Sequence, residues 1–169
     1  MVKSFKFRIY PNKTQSLALS EMLETHRVLY NAALEERTKA YKSNKININF
    51  YNQSSQLKYI RQENEYLLRT NFSATQDTLH RLDKAFKSFF RRVKNGEKAG
   101  YPKFKSRWNF SSFTYPTYGD GVSLKENKLS LDFDNKKLKS QKKFRLKEIR
   151  LASQTKVFKN FKNLEKKKK

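Results

Sequence analysis

Residues 79–93 constrain the fold more tightly than any other stretch. Leu79, Leu82, Phe86, Phe89, Phe90 and Val93 follow one another at steps of 3, 4, 3, 1 and 3, a spacing that an α-helix gathers onto one face. Arg81, Lys84, Lys87, Arg91 and Lys94 fall between them, so the same helix offers a core stripe and a basic flank. Ser73 is the predicted N-cap, because its hydroxyl can accept an orphan N–H of the first turn. Such a chain needs a partner surface for the apolar stripe and leaves the basic flank to solvent or to an anion.

The segments around this helix have their own periods. Phe5, Phe7 and Ile9 alternate with Lys6, Arg8 and Tyr10, which predicts a half-buried strand over residues 4–10. Pro11 ends it, and Asn12 is the predicted cap of a long helix running from Lys13 to about residue 41. Leu19, Met22, Leu23, His26, Tyr30, Ala33 and Leu34 form its apolar stripe. His26, on that stripe, reads as a packed or hydrogen-bonded histidine rather than a catalytic one. Residues 42–52 are rich in turn formers and predict a loop, after which Ser54 or Ser55 caps a short helix carrying Leu57 and Ile60. Beyond Gly100, Lys103, Lys105 and Arg107 alternate with Phe104 and Ser106. In an extended arm the three cations point one way and Phe104 anchors the other side. Residues 113–115, 122–124 and 129–133 alternate again, and a turn around Asn127 joins the last two as a hairpin. Strand, helices, then strands predicts an α+β fold.

Charge bounds the partners. The 169 residues hold 39 Lys and Arg against 15 Asp and Glu, a net charge of +24. Self-repulsion of that size is relieved by a polyanion, with nucleic acid the first expectation and an anionic membrane the second. From Lys136 onward there are 15 Lys and Arg against 2 acids, leaving about +13 there and about +11 in residues 1–135. Residues 136–169 are expected to form a lysine-rich, partly disordered tail, but nucleic-acid binding does not rest on that tail alone. Leu, Ile, Val and Phe make up about a quarter of the chain, just above the roughly 20% below which chains stay disordered, so the core is lean. Most of the 14 Phe and 9 Tyr are expected in that core, with base stacking as a second use. The absence of cysteine excludes disulfides, thiolate zinc sites and a cysteine nucleophile. His26 and His80 lack metal-ligand spacing, and Asp132 and Asp134 read as surface acids, so no metal and no cofactor are expected. The charged N-terminus and the lack of a long apolar run predict a soluble, cytoplasmic, nucleoid-associated protein with no membrane partner.

Four segments carry a resemblance. Phe5-Lys6-Phe7-Arg8-Ile9-Tyr10-Pro11-Asn12-Lys13-Thr14-Gln15, Val28-Leu29-Tyr30-Asn31-Ala32, Leu82 to Phe90 and Gly100 to Ser106 occur together in this order. The series resembles the N-terminal part of the OrfB/TnpB proteins of bacterial insertion sequences, over about residues 1–133. The resemblance implies a small wedge-type β-barrel with an inserted helical recognition lobe. Residues 1–11 would give the first wedge strand, 12–98 the recognition lobe with its helix-turn-helix region, 99–135 the basic arm and remaining wedge strands, and 136–169 the tail. It implies double-stranded DNA as partner, guide-type RNA from the same element as another, and a separately encoded RuvC-like half as a third. Full-length members are RNA-guided DNA endonucleases that cut with a RuvC-like domain; this sequence stops before one, which predicts a truncated binding protein without nuclease activity. The alternatives are one half of a split endonuclease or a non-functional remnant. By position, Tyr51, Ser54, Ser55, Ser73, Thr75 and Gln76 match the region that reads a DNA motif, with Thr114 and Tyr115 beside them. Gln76 suits that task because an amide can pair bidentately with adenine. Phosphate contact is expected from Lys6, Arg8, Lys84, Lys87, Arg91, Lys103, Lys105 and Arg107.

Overall fold

The structure, a computed structural model, describes residues 9–125, 128–131 and 149–151. Strand β1 (Ile9–Tyr10) leads into α1 (Lys13–Asn44), α2 (Phe50–Glu63), α3 (Glu65–Arg69) and α4 (Phe72–Lys94). Strands β2 (Val122–Lys125), β3 (Lys128–Leu131) and β4 (Ile149–Leu151) follow.

Helix α1 starts where predicted. The Asn12 side chain accepts Gln15 N–H at 2.8 Å, and the Gln15 side chain accepts Asn12 N–H at 2.9 Å, satisfying two orphan donors reciprocally. The helix stops at Lys45, whose φ of 57° is left-handed and whose N–H returns to the Tyr41 carbonyl at 3.1 Å. Its stripe meets α2 and α4 in one core of Tyr30, Leu34, Leu57, Leu79, Leu82 and Phe86, closed by Phe110 from the chain after α4. Leu82 is fully buried there, and truncating it to Ala removes about 2–5 kcal/mol.

Three helix starts differ from expectation. Residues 42–52 are not one loop: α1 continues through Asn44 and α2 begins at Phe50. Asn49, not Ser54 or Ser55, caps α2, accepting Tyr51 and Asn52 N–H while the Asn52 side chain answers the Asn49 N–H. Asn71, not Ser73, caps α4, accepting Ala74 N–H at 2.9 Å. The short α3, capped by Asn64, has no counterpart in the sequence reading.

The strands form an antiparallel sheet in the order β1-β4-β3-β2. The hairpin β2–β3 is present in the predicted register, Val122 opposite Leu131 and Leu124 opposite Leu129; its Asn127 turn lies outside the described residues. Residues 113–115, whose alternation predicts an extended segment, form no strand. Among the described residues the sheet is open rather than a closed barrel. Residues 149–151, inside the segment expected to be a tail, supply the strand between β1 and β3. Ile149 and Leu151 alternate with Arg150, a period-two signal that the local lysine count obscures.

Candidate nucleic-acid interface

Helix α4 turns its predicted basic flank outward, Arg81 excepted. Ser73, Gln76, His80, Lys84, Lys87, Arg91 and Lys94 recur at steps of 3, 4, 4, 3, 4 and 3, one helical face opposite buried Leu79, Leu82 and Phe86. Ser73 and Gln76 are half-buried, and the residues from His80 on are exposed. Lys84 and Arg91 are solvated, while the Lys87 ammonium lies 2.9 Å from Asp83 with most of its side chain in solvent.

The N-terminal end of this face abuts α2. Gln76 Nε2 donates to the Ser54 hydroxyl at 2.9 Å, tying together two residues predicted to read DNA. That bond uses one amide N–H and leaves a second N–H with the carbonyl oxygen, the pair a bidentate contact with adenine uses. One turn on, His80 stacks on Phe50 with ring centroids 3.6 Å apart and planes 17° from parallel. Tyr51, beside Phe50, is 78% exposed, and Ser55 faces solvent. The structure thus brings Tyr51, Ser54, Ser55 and Gln76 to one surface.

Two other predicted readers are engaged internally. Thr75 is buried, and its hydroxyl donates to the Phe72 carbonyl at 2.6 Å, so it serves the core. Ser73 donates to the Asp120 carboxylate, which also accepts Asn71 Nδ2 at 3.0 Å. The Ser73 and Asn71 hydrogen bonds hold the Asp120 carboxyl below the usual carboxylate range. Asp120 was not foreseen, since it stands in a turn far along the chain with no periodic signal. Thr114 is exposed, and Tyr115 is half-buried edge-on to Phe113.

The arm 101–108 is irregular and docked by its main chain. Asn31 Nδ2 donates to the Lys105 carbonyl at 2.9 Å and Asn31 Oδ1 accepts Lys105 N–H at 2.8 Å. Arg27 Nη1 donates to the same carbonyl at 3.1 Å, while its other nitrogens pair with Glu24. Phe104, expected to anchor the arm, is 60% exposed; polar clamps replace it. Lys103 and Arg107 are exposed and Lys105 half-buried. Arg81, on the predicted basic flank, is turned to structure instead, donating to the Ser112 carbonyl and lying 5.1 Å from the Phe110 ring centre. Lys6 and Arg8 lie outside the described residues.

His26 is a core residue, as expected. Its Nδ1 is 2.7 Å from the Thr78 hydroxyl, and its ring stacks on Phe113 at 4.9 Å. Thr78 Oγ1 also lies 3.3 Å from the Ala74 carbonyl, and the other ring nitrogen, Nε2, is buried without a hydrogen-bond partner among the described residues. Desolvation, then the nearby Arg81 charge, pushes its pKa down to about 4. Among the described residues no group of three or more His, Cys, Asp and Glu converges as metal ligands, and no helix is long and apolar enough to cross a membrane.

Comparison with known proteins finds sequence similarity to one family over part of the chain. Residues 1–45 match the model of a helix-turn-helix domain of OrfB proteins. In this structure the described part of that segment is one strand and one continuous helix, β1 and α1. A candidate RNA-guided DNA endonuclease of Streptomyces pristinaespiralis is 31% identical over 107 residues, 62% of this chain and 25% of the relative. InsQ of Escherichia coli K12, also named as a candidate RNA-guided DNA endonuclease, is 26% identical over 125 residues, 73% of this chain and 29% of InsQ. The chain therefore spans between a quarter and a third of the length of these relatives, and it carries an OrfB/TnpB-type N-terminal region.

Proposed function

We propose that this region binds double-stranded DNA, reading a short motif with the α2–α4 surface and holding phosphates with the exposed face of α4 and the 101–108 arm. One observation carries the reading: the Ser54–Gln76 bond holds a side-chain amide at one end of a helix face whose remaining exposed positions include Lys84, Lys87, Arg91 and Lys94. Phosphate contacts along such a face fix register, and the amide at its end adds sequence preference. Tyr51 and Ser55 complete the reading surface. Ser73 joins only if Asp120 releases it, because a carboxylate at that position repels phosphate.

The proposed activity is binding without cutting. In this reading hydrolysis belongs to a RuvC-like part, the names of the relatives supply the DNA target, and guide-type RNA is a second ligand of the basic surface. Selection from a randomised duplex DNA library at roughly physiological salt, with and without RNA copied from the adjoining element, tests it. Enrichment of a short motif that Gln76→Ala relaxes by about 1–3 kcal/mol is the expected result. Salt-sensitive binding with no motif in either condition would reduce the region to a non-specific basic fragment.

A further inference from the structure

The C-terminal half of α4, the end of α1, the loop 45–49 and Tyr101 enclose a cavity of about 600 Å³, within the range of small-ligand pockets. We propose that this cavity binds one unstacked base of a single-stranded nucleic acid, an inference that rests on the nucleic-acid reading above and adds a second ligand form to it.

Its walls are aromatic and open. Phe90 and Tyr41 are each 58% exposed and Tyr101 is 45% exposed, so three aromatic side chains stand open at one cavity. Tyr101 stands edge-on to Phe86 and Phe89, at 5.6 and 5.3 Å, which fixes ring planes in advance of a ligand. Base–aromatic stacking needs such pre-set faces and tolerates any base, because every base has a π-face.

The rim is cationic. Lys87 lines the mouth, and Lys45 lies 5.3 Å over the Tyr41 ring. The one lining carboxylate, Asp83, is already matched by Lys87 at 2.9 Å and Arg37 at 3.3 Å. Phosphates on either side of an inserted base would meet this rim, and Lys94 continues it one to two turns farther along α4. Arg37 is the buried polar lining residue, held by Gln53 at 2.8 Å and by Asp83 at 3.3 Å, and it fixes the floor of the cavity. An apolar protein segment would fill the same walls but gain nothing from the cationic rim, so the base is the favoured occupant.

Fluorescence anisotropy with labelled decamers of DNA and of RNA, beside a duplex, tests the site in the full chain. Phe90→Ala, which removes no charge from an exposed position, should weaken single-strand binding about five- to hundred-fold without changing its salt slope or the affinity for duplex. Phe90→Leu should weaken it comparably, and Phe90→Trp should restore it. Scanning an abasic residue through the decamer should find one position that costs wild type the same factor and costs Phe90→Ala nothing further. Unchanged single-strand affinity in a folded Phe90→Ala variant overturns the site. Full activity of Phe90→Leu also overturns it and points to an apolar protein occupant. If wild type binds no duplex but shows the abasic effect, the base pocket stands and the duplex-reading proposal falls. A preference between the DNA and RNA decamers identifies which strand the pocket serves.

Discussion

Asn31 grips the main chain of Lys105 from both sides, its amide donating to the carbonyl at 2.9 Å and accepting from the N–H at 2.8 Å. A side-chain amide presents the same N–H and C=O pair as the main chain of a neighbouring strand. It thus holds an irregular segment that pairs with no strand. Asn31→Ala leaves the Lys105 N–H to water or unsatisfied and its carbonyl to Arg27 alone, and should cost about 1–3 kcal/mol. Asn31→Asp keeps the acceptor and loses the donor, so its cost should be intermediate. Urea denaturation gives the free energies, and faster proteolytic nicking within 101–108 would place the loss in the arm. Equal protection of the arm in wild type and Asn31→Ala would show that Arg27 alone suffices to dock it.

His26 predicts an acid-labile window distinct from that of the carboxylates. Its folded pKa, about 4, lies below the ordinary histidine value near 6.5. Below pH 6.5 the unfolded chain takes up a proton that the folded chain refuses, so stability is full above about 6.5 and falls as pH drops toward 4. The loss amounts to at most about 3 kcal/mol. Asp83, Asp120 and Glu24, whose carboxyls sit below their usual range, lose their contributions only at lower pH. His26→Gln should therefore flatten the denaturation profile between pH 4 and 6.5 and leave the steeper loss beneath it. A profile that keeps its slope in the variant would assign the window to other groups.

The long-period elements were legible and the local ones less so. Leu79, Leu82 and Phe86 announced α4, and Asn12 announced α1, because a repeated apolar spacing and a Pro–Asn break admit few alternatives. The caps of α2 and α4 were misplaced by several residues and by two. Asn and Ser cap about equally well, so Asn49 against Ser54, or Asn71 against Ser73, is decided by where the tertiary fold lets the chain enter the helix. The Asn49–Asn52 reciprocal pair also departs from the Ser/Thr-to-Glu/Gln signature of a capping box. At the candidate site, Ser54 and Gln76 share a surface as the resemblance implied, whereas the roles of Asp120 and His80 depend on contacts across 47 and about 30 residues that carry no periodic trace.

Gly121 is the point where the turn before β2 presses on the α4 cap. Its φ is +75°, and a Cβ there would lie 2.5 Å from Asn71 Nδ2 and 3.1 Å from a Tyr115 ring carbon. Gly121→Ala combines left-handed backbone strain with displacement of the cap, and should cost about 1–3 kcal/mol. Asn71→Ala should cost about 1 kcal/mol for the lost cap. Because both act on Asn71, the double variant should be less destabilised than the sum of the singles. Additive losses in thermal denaturation would show that Gly121 acts through its backbone alone.

Asp83 has two cationic partners of unequal weight. The Arg37 side chain is 6% exposed and that of Lys87 is 78% exposed, so only the first pair lies in a low-dielectric setting. Burial raises the Asp83 pKa, and the Lys87 and Arg37 hydrogen bonds outweigh that to leave it lowered. Asp83→Asn should leave a buried guanidinium under-compensated and cost about 3 kcal/mol. Lys87→Ala should change stability by less than about 1 kcal/mol while weakening nucleic-acid binding. A Lys87→Ala variant that loses stability but keeps its affinity would reverse the two roles.

The arm and the α4 face make separable demands on salt dependence. Each phosphate neutralised on duplex DNA contributes roughly 0.9 to the slope of log K against log salt. Replacing Lys103, Lys105 and Arg107 together by Ala should therefore lower that slope by up to about 3 and weaken binding to every sequence alike. The half-burial of Lys105 and its clamped main chain favour a fall nearer 2, with Lys103 and Arg107 carrying it. Asn31→Ala retains all three cations but frees their backbone, so it should lower affinity while leaving the slope close to wild type. Titrations at four or more salt concentrations separate the two effects, because charge removal changes the slope and loss of pre-organisation shifts the whole line. An unchanged slope in the triple variant would place the phosphate contacts on α4 alone.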